Sequence, residues 1–244
     1  MKDNFSGHAA DYAKFRPTYP DELYTYLFSL VAERNRAWDC GTGNGQVARE
    51  LAKTFSEVYA TDLSEQQLNE APQIENITYK KQTAEESFSP KGKFDLITVA
   101  QAVHWFDFDR FYENVKKVLK PEGRIAVFGY GLMQTAGALN AVIQYFYKDV
   151  TRPYWDAERK YLDDRYETIP FPFKEEIVPN LEIKTQWSKS QMLQYLNTWS
   201  AVKHYVAAKG SNPLELIADK VDETWGNEEV RTFTFPLLLR VGRL

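Results

Sequence analysis

A chain of 244 residues with 43% hydrophobic and 26% charged residues has the make-up of a folded protein that buries a full core, and it suits a single domain over residues 1–244. Its net charge of −4 argues against DNA or RNA as the main partner, because phosphate contacts supply most of such affinity. Cys40 is the one cysteine, which excludes an internal disulfide framework; no apolar run is long enough for a bilayer span and the N-terminus lacks the apolar stretch of a secretory signal, so the expectation is a cytoplasmic protein with no membrane partner.

Pro20 and Asp21 open a helix, with Leu23, Tyr26, Leu27, Leu30 and Val31 at helical spacing. A short strand over Arg36 to Cys40 meets Gly41-Thr42-Gly43-Asn44-Gly45, and Val47, Leu51 and Phe55 then mark one face of a second helix. Glu57 to Thr61 is a strand ending at Asp62, followed by a polar helix from about Ser64 to Pro72. Strands are predicted at Ile77 to Gln82 and at Phe94 to Ala100, the latter apolar apart from Asp95 as in a strand covered on both faces. A helix from Asp107 through Leu119, a turn at Pro121-Glu122-Gly123 and a strand over Arg124 to Phe128 complete the alternation.

Residues 130–175 lack clear strands, and nine aromatic residues fall between 145 and 173; this stretch is expected to form a helical cap insertion. After a strand over Glu182 to Trp187, Ser190 is the expected N-cap of a helix carrying Met192, Tyr195, Leu196, Trp199, Val202 and Val206 and stopped by Gly210. Pro213 opens a helix ending near Gly226, and Val230 to Val241 is a strand interrupted at Pro236. Strands alternating with helices predict an α/β fold, a doubly wound, mostly parallel sheet of about seven strands.

The sharpest chemical signal lies at residues 39–45, between a strand and a helix. Glycines there permit positive φ and close backbone approach, and the following helix offers free N–H groups to an anionic or carboxylate-bearing ligand. Seventeen residues after Gly45, Asp62 can accept both hydroxyls of a ribose. A dinucleotide site would place a third glycine where Gln46 stands; the alternative without a ligand is a plain glycine-rich turn.

The pattern Asp39-x-Gly41-x-Gly43-x-Gly45 resembles the first motif of the class I S-adenosylmethionine-dependent methyltransferases, whose sheet is Rossmann-like. The resemblance implies S-adenosylmethionine as cofactor, Asp39 near its methionine end, Gly41, Thr42, Gly43 and Gly45 beneath it, Asp62 at the ribose, and Leu63 as a further cofactor contact. It places the adenine against the backbone around Ala84 and the side chain of Glu85, for which a surface acid pair with Glu86 is the alternative. Gln101 and Trp105 leave the carboxyl end of the fourth strand, where open α/β sheets bind ligands. Gln101-Ala-Val-His-Trp-Phe-Asp107, with Tyr12-Ala-Lys-Phe-Arg-Pro-Thr-Tyr-Pro20, resembles the branch that contains trans-aconitate methyltransferase (methyltransferase type 11). That likeness covers about residues 5–130 and weakly the last strand.

Methyl transfer from a sulfonium is an in-line displacement, so alignment can supply much of the rate, about 7–11 kcal/mol in favourable cases. The expected acceptor is an oxygen, a carboxylate among the options, or a nitrogen of a small molecule. His104 is the candidate general base because imidazole titrates near neutral pH, with a hydrogen-bonded packing role as the alternative. Arg16 and Tyr19, in an N-terminal lid over residues 1–20, are candidate substrate contacts, as are Tyr154 and Trp155 of the cap. Tyr145, Phe146, Tyr147 and Tyr161 either line that pocket or pack, and Arg152, Arg159 and Arg165 either clamp an acid or face solvent. A sensor that binds the cofactor without catalysis is the alternative from another class; an NAD-dependent oxidoreductase is disfavoured by Gln46. The Asn/Asp-Pro-Pro-aromatic strand end of nucleic-acid amino-methylating enzymes is missing, and no cluster has metal-ligand spacing.

Overall fold

The computed structural model describes residues 16–86 and 93–244. Its elements are α1 (Asp21–Ser29), β1 (Arg36–Cys40), α2 (Gln46–Ala52), β2 (Glu57–Asp62), α3 (Glu65–Asn69), β3 (Ile77–Lys81), β4 (Phe94–Ala100), α4 (Phe108–Val118) and β5 (Leu119–Tyr130). They continue with α5 (Ala138–Tyr145), α6 (Arg159–Asp163), β6 (Lys174–Glu175), β7 (Glu182–Trp187), α7 (Lys189–Asn197), α8 (Ser200–Lys209), α9 (Ala218–Trp225) and β8 (Arg231–Arg243). The sheet runs β3-β2-β1-β4-β5-β8-β6, with β7 also paired to β8. The first five strands are parallel, and β8 lies antiparallel to β5, β6 and β7. This is the α/β class and the mostly parallel, doubly wound sheet that the sequence implies.

The two-residue period of the strands divides the core into two layers. Ala37, Leu96, Ala126 and Phe128 join α1, α2 and α7 on one face. Trp38, Ile97, Val99, Ile125 and Val127 join Phe111, Tyr112 and Val115 of α4 on the other. Asp95, the one acid in the apolar run of β4, is 4% exposed and fully used. Its carboxylate accepts from the Asn35 and Arg36 backbone N–H groups and pairs with Lys120 Nζ at 2.6 Å. It sits at the amino end of the parallel strands and so belongs to the frame.

Four local expectations need correction. Pro121-Glu122-Gly123 does not end the helix-to-strand connection as a free turn but bulges within β5, between the pairs Phe94↔Leu119 and Leu96↔Arg124. A Cβ on Gly123 would stand 2.8 Å from the Phe94 carbonyl, so the close crossing requires glycine there. The helix expected from Ser190 starts at Ser188 instead, where Ser188 and Gln191 form a reciprocal capping box. It also breaks in two: Trp199 takes extended backbone between α7 and α8 and buries its ring against Phe146, Tyr147 and Trp155. The helix after Pro213 divides likewise into a 3₁₀ turn over Pro213–Leu216 and α9.

Pro236 falls where β8 changes partner. Residues 231–236 pair with β7, and from Leu237 onward the strand pairs with β5. The missing N–H is thus placed where one ladder stops and the next starts. The short β6 had no signal in the sequence. No helix among the described residues is long and apolar enough to cross a membrane. Replacing Ser188 by Ala removes the cap of α7 and should lower stability by about 0.5–2 kcal/mol, read as an earlier urea midpoint at unchanged slope.

Candidate functional site

The carboxyl ends of β1, β2, β3 and β4 open onto one cavity. At the first, Asp39 is 1% exposed and is held by two hydroxyls: Thr42 Oγ1 donates to Oδ2 at 2.5 Å and Thr98 Oγ1 donates to Oδ1 at 2.8 Å. Burial pushes its carboxyl up to about 6; those hydrogen bonds and one from the Ala48 backbone N–H oppose the shift, while the Asp62 charge adds to it. Gly41, Gly43 and Gly45 all take positive φ. The requirement is strictest at Gly41, where a Cβ would stand 2.6 Å from that of Ala102. The Gly41 and Thr42 N–H groups both donate to the Thr61 carbonyl, anchoring the turn to β2.

Asp62 ties this turn to the next. Its Oδ2 accepts the Gly43 N–H and its Oδ1 accepts the Ser64 N–H, each at 2.8 Å. Asp62 lines the cavity at the carboxyl end of β2, the place where an acid receives ribose hydroxyls in open α/β sheets. At the end of β3, Gln82 is 3% exposed, and neither its amide oxygen nor its nitrogen has a hydrogen-bond partner among the described residues. A buried primary amide without partners is costly unless a ligand completes it. It lines the same cavity as Ala84, as a contact for a nucleobase edge would. The residues present therefore fit an adenosyl group.

Asp39, Gly41, Thr42, Gly43, Asp62, Leu63, Ala84, Gln101, Trp105, Arg16 and Tyr19 all line this first cavity. Gly45 does not: its Cα packs under Tyr79, whose hydroxyl would meet a Cβ at 2.6 Å. The Glu85 side chain turns the other way, accepting the Asp107 backbone N–H at the start of α4. Gln82, Gln67 and Tyr130 are cavity residues that the sequence reading missed. Gln82 could have been found from its place at a strand's carboxyl end; Gln67 and Tyr130 carry no such mark.

A second cavity abuts the first, and Arg16, Gln101, Trp105 and Tyr130 border both. Its remaining wall includes His104, Trp155, Arg159, Tyr195 and Trp199. The segment between β5 and β6 thus supplies Trp155 and Arg159, while the chain returning through α7 and α8 supplies Tyr195 and Trp199. Tyr154 lies on neither wall and packs its ring 4.8 Å from that of Tyr205. Phe146 and Tyr147 are core, Tyr161 packs on Phe108, Tyr145 is 41% exposed, and Arg152 and Arg165 stand off both cavities. Arg159 is fixed from behind, its guanidinium 4.6 Å over Trp155 and its Nε donating to Tyr147 Oη at 2.8 Å. His104 does not titrate near neutrality: burial, aided by the Arg159 charge, lowers its imidazole to about 3. The ring is neutral at pH 7 and a weak base. Of residues 1–20, expected as a lid, 1–15 lie outside the described part of the chain. Arg16 donates from Nη1 to Tyr130 Oη at 3.1 Å, and the Tyr19 ring meets Phe128 edge-on at 4.8 Å.

The methyltransferase domain model matches residues 38–127, the span from β1 to β5. A Dictyostelium discoideum protein named as a methyltransferase is 33% identical over 249 residues, covering 99% of this chain and 95% of that one. The methyltransferase cfoB of Aspergillus candidus is 30% identical over 70% of this chain and 63% of its own. A solved structure from Anaeromyxobacter dehalogenans, described as a type II methyltransferase, superposes with a TM-score of 0.87 at 37% identity, covering 94% of this chain and 98% of that one. With a full-length relative, a shared fold and a cavity built for an adenosyl group, the chain belongs to the class I S-adenosylmethionine-dependent methyltransferases.

Proposed function

We propose that the chain transfers the methyl group of S-adenosylmethionine to an oxygen or nitrogen of a small-molecule acceptor seated in the second cavity. The observation that carries this reading is the shared border of the two cavities at Arg16, Gln101, Trp105 and Tyr130. A donor in the first cavity and an acceptor in the second would meet across these side chains. The cofactor supplies an electrophilic methyl on a sulfonium; the protein's part is to align the acceptor and exclude water, worth about 7–11 kcal/mol in favourable cases. Trp155, Tyr195 and Trp199 make the second cavity largely aromatic, which suits a small organic molecule. A net charge of −4 opposes a nucleic acid. The two terminal amino groups of Arg159 have no hydrogen-bond partner among the described residues, and they are available to an acidic group elsewhere on the acceptor.

Calorimetric titration with S-adenosylmethionine, its demethylated product and NAD tests the donor half. The first two should bind at micromolar concentration, and Asp62→Ala should weaken both at least tenfold; tight NAD binding without them would sink the reading. Methyl transfer to a panel of small acids, phenols and amines tests the acceptor half.

Asp39 adds a dependence on pH. Its folded-state carboxyl, near 6, lies above the ordinary value of 3.8, so its contribution to stability is present below about pH 4 and is lost as pH rises to about 6. The methionine end of S-adenosylmethionine is cationic at its sulfonium and ammonium and favours the ionised carboxylate. Cofactor affinity should therefore fall below pH 6 by up to about tenfold per unit. Titrations at pH 5 and 7.5 should show this in the native protein and a flat response in Asp39→Asn.

A further inference from the structure

Among the described residues other than glycine, only Gln101, Arg165 and Tyr166 take positive φ. Such backbone is costly and persists where the surroundings enforce it. The two sites converge. Tyr166, wholly buried, brings its hydroxyl 3.3 Å from His104 Nδ1 and 3.5 Å from Gln101 Oε1. The turn that carries it is pinned from β8 by Arg240, whose Nη1 donates to the Tyr166 and Ile169 carbonyls while Nη2 holds Glu175. Gly129 on β5 makes room beneath: a Cβ there would stand 2.5 Å from Gln101 Oε1 and 2.8 Å from Tyr166 Oη.

The proton arrangement follows from what each group can do. Gln101 Nε2 donates to the Tyr130 carbonyl, which leaves Oε1 as an acceptor facing Tyr166. A carbonyl oxygen cannot donate, so that contact is attractive only if the tyrosine hydroxyl gives it its single proton. Nothing then remains for Tyr166 to give His104, and His104 must donate from Nδ1. The ring is neutral at pH 7, so Nε2 is left as a bare acceptor. No other described residue hydrogen-bonds Nε2, and the ring borders the second cavity.

We propose that Tyr166 is a positioning residue that locks His104 as its Nδ1–H tautomer, so that Nε2 selects acceptors whose reacting atom carries a hydrogen: a hydroxyl, a phenol or an amine rather than a carboxylate. The inference rests on the reading of the second cavity as the acceptor site. His104 receives a hydrogen bond and orients the reacting atom. As the new O–C or N–C bond forms and the S–CH3 bond breaks, the sulfonium becomes the neutral thioether of S-adenosylhomocysteine. The proton shed by the acceptor passes by way of Nε2 to bulk water, because an imidazole of low basicity does not keep it.

The test uses full-length protein with ¹⁵N-labelled histidine, loaded with S-adenosylhomocysteine at pH 7. Long-range ¹H–¹⁵N correlation distinguishes the two tautomers and the imidazolium, and His104→Gln assigns the signal among the three histidines. The expected result is Nδ1–H with bare Nε2 in the native protein and a move to Nε2–H in Tyr166→Phe. Gly129→Ala, which crowds the same hydroxyl, provides a second route to the same shift should Tyr166→Phe fold poorly. Added phenol should shift the Nε2 resonance, whereas anisole, of similar shape but without the O–H, should not. An Nε2–H tautomer or an imidazolium in the native protein, an unchanged tautomer in the variants, or equal responses to phenol and anisole would each overturn the proposal. Calorimetric binding of S-adenosylhomocysteine to the same samples reads the cofactor site separately, so loss of that binding marks failure of the methyltransferase reading instead.

Discussion

The buried carboxylate of Asp39 is the constraint around which the site is arranged. An acid inside the sheet is tolerable only if its oxygens are satisfied, and here the groups that satisfy it are also those that shape the cavity. Thr98 reaches it from β4 across the register pair Asp39↔Thr98, and Thr42 reaches it from the glycine turn. Asp62 then fixes the far side of that turn through Gly43. Two acids at the ends of neighbouring strands thus set a backbone loop whose own hydrogen bonds run to the Thr61 carbonyl. The loop is thus fixed by the protein's own hydrogen bonds, and preorganisation of that kind lowers the ordering cost of binding.

The first cavity was legible in the sequence and the second was not, for a physical reason. A parallel sheet brings the ends of consecutive strands together by topology alone, so Asp39, Asp62 and Gln101 could be placed from their positions after apolar runs. The second cavity depends on where the chain returns after leaving the sheet. Tyr195 and Trp199 reach its wall because a helix that looks continuous in sequence is broken at Trp199 by the packing of four aromatic rings. No local pattern encodes that break. His104 shows the same limit: its position was evident, but its basicity is set by burial and by Arg159, a residue 55 positions away.

The segment between β5 and β6 contributes more than a connection. Aromatic rings there divide between packing and lining, with Phe146 and Tyr147 in the core and Trp155 on the wall. Arg159 lies between these roles, stacked on two rings and held at Nε, with its planar end left for other use. Specificity within a shared fold is expected in such a region, because connecting segments vary more freely than the strand ends that form the frame.

The partner switch at Pro236 bears on how the molecule assembles. β8 fills the place between β5 and β6, and its pairs with β5 join residues more than a hundred positions apart, such as Tyr130↔Leu237. Until that strand arrives, the apolar edge of β5 is an open template for any extended chain. Contacts of such long range form slowly, after the loop between them has been closed. The interval between synthesis of β5 and capture of β8 is therefore when a nascent chain is most exposed to aggregation, and a chaperone's greatest effect on yield would fall within it.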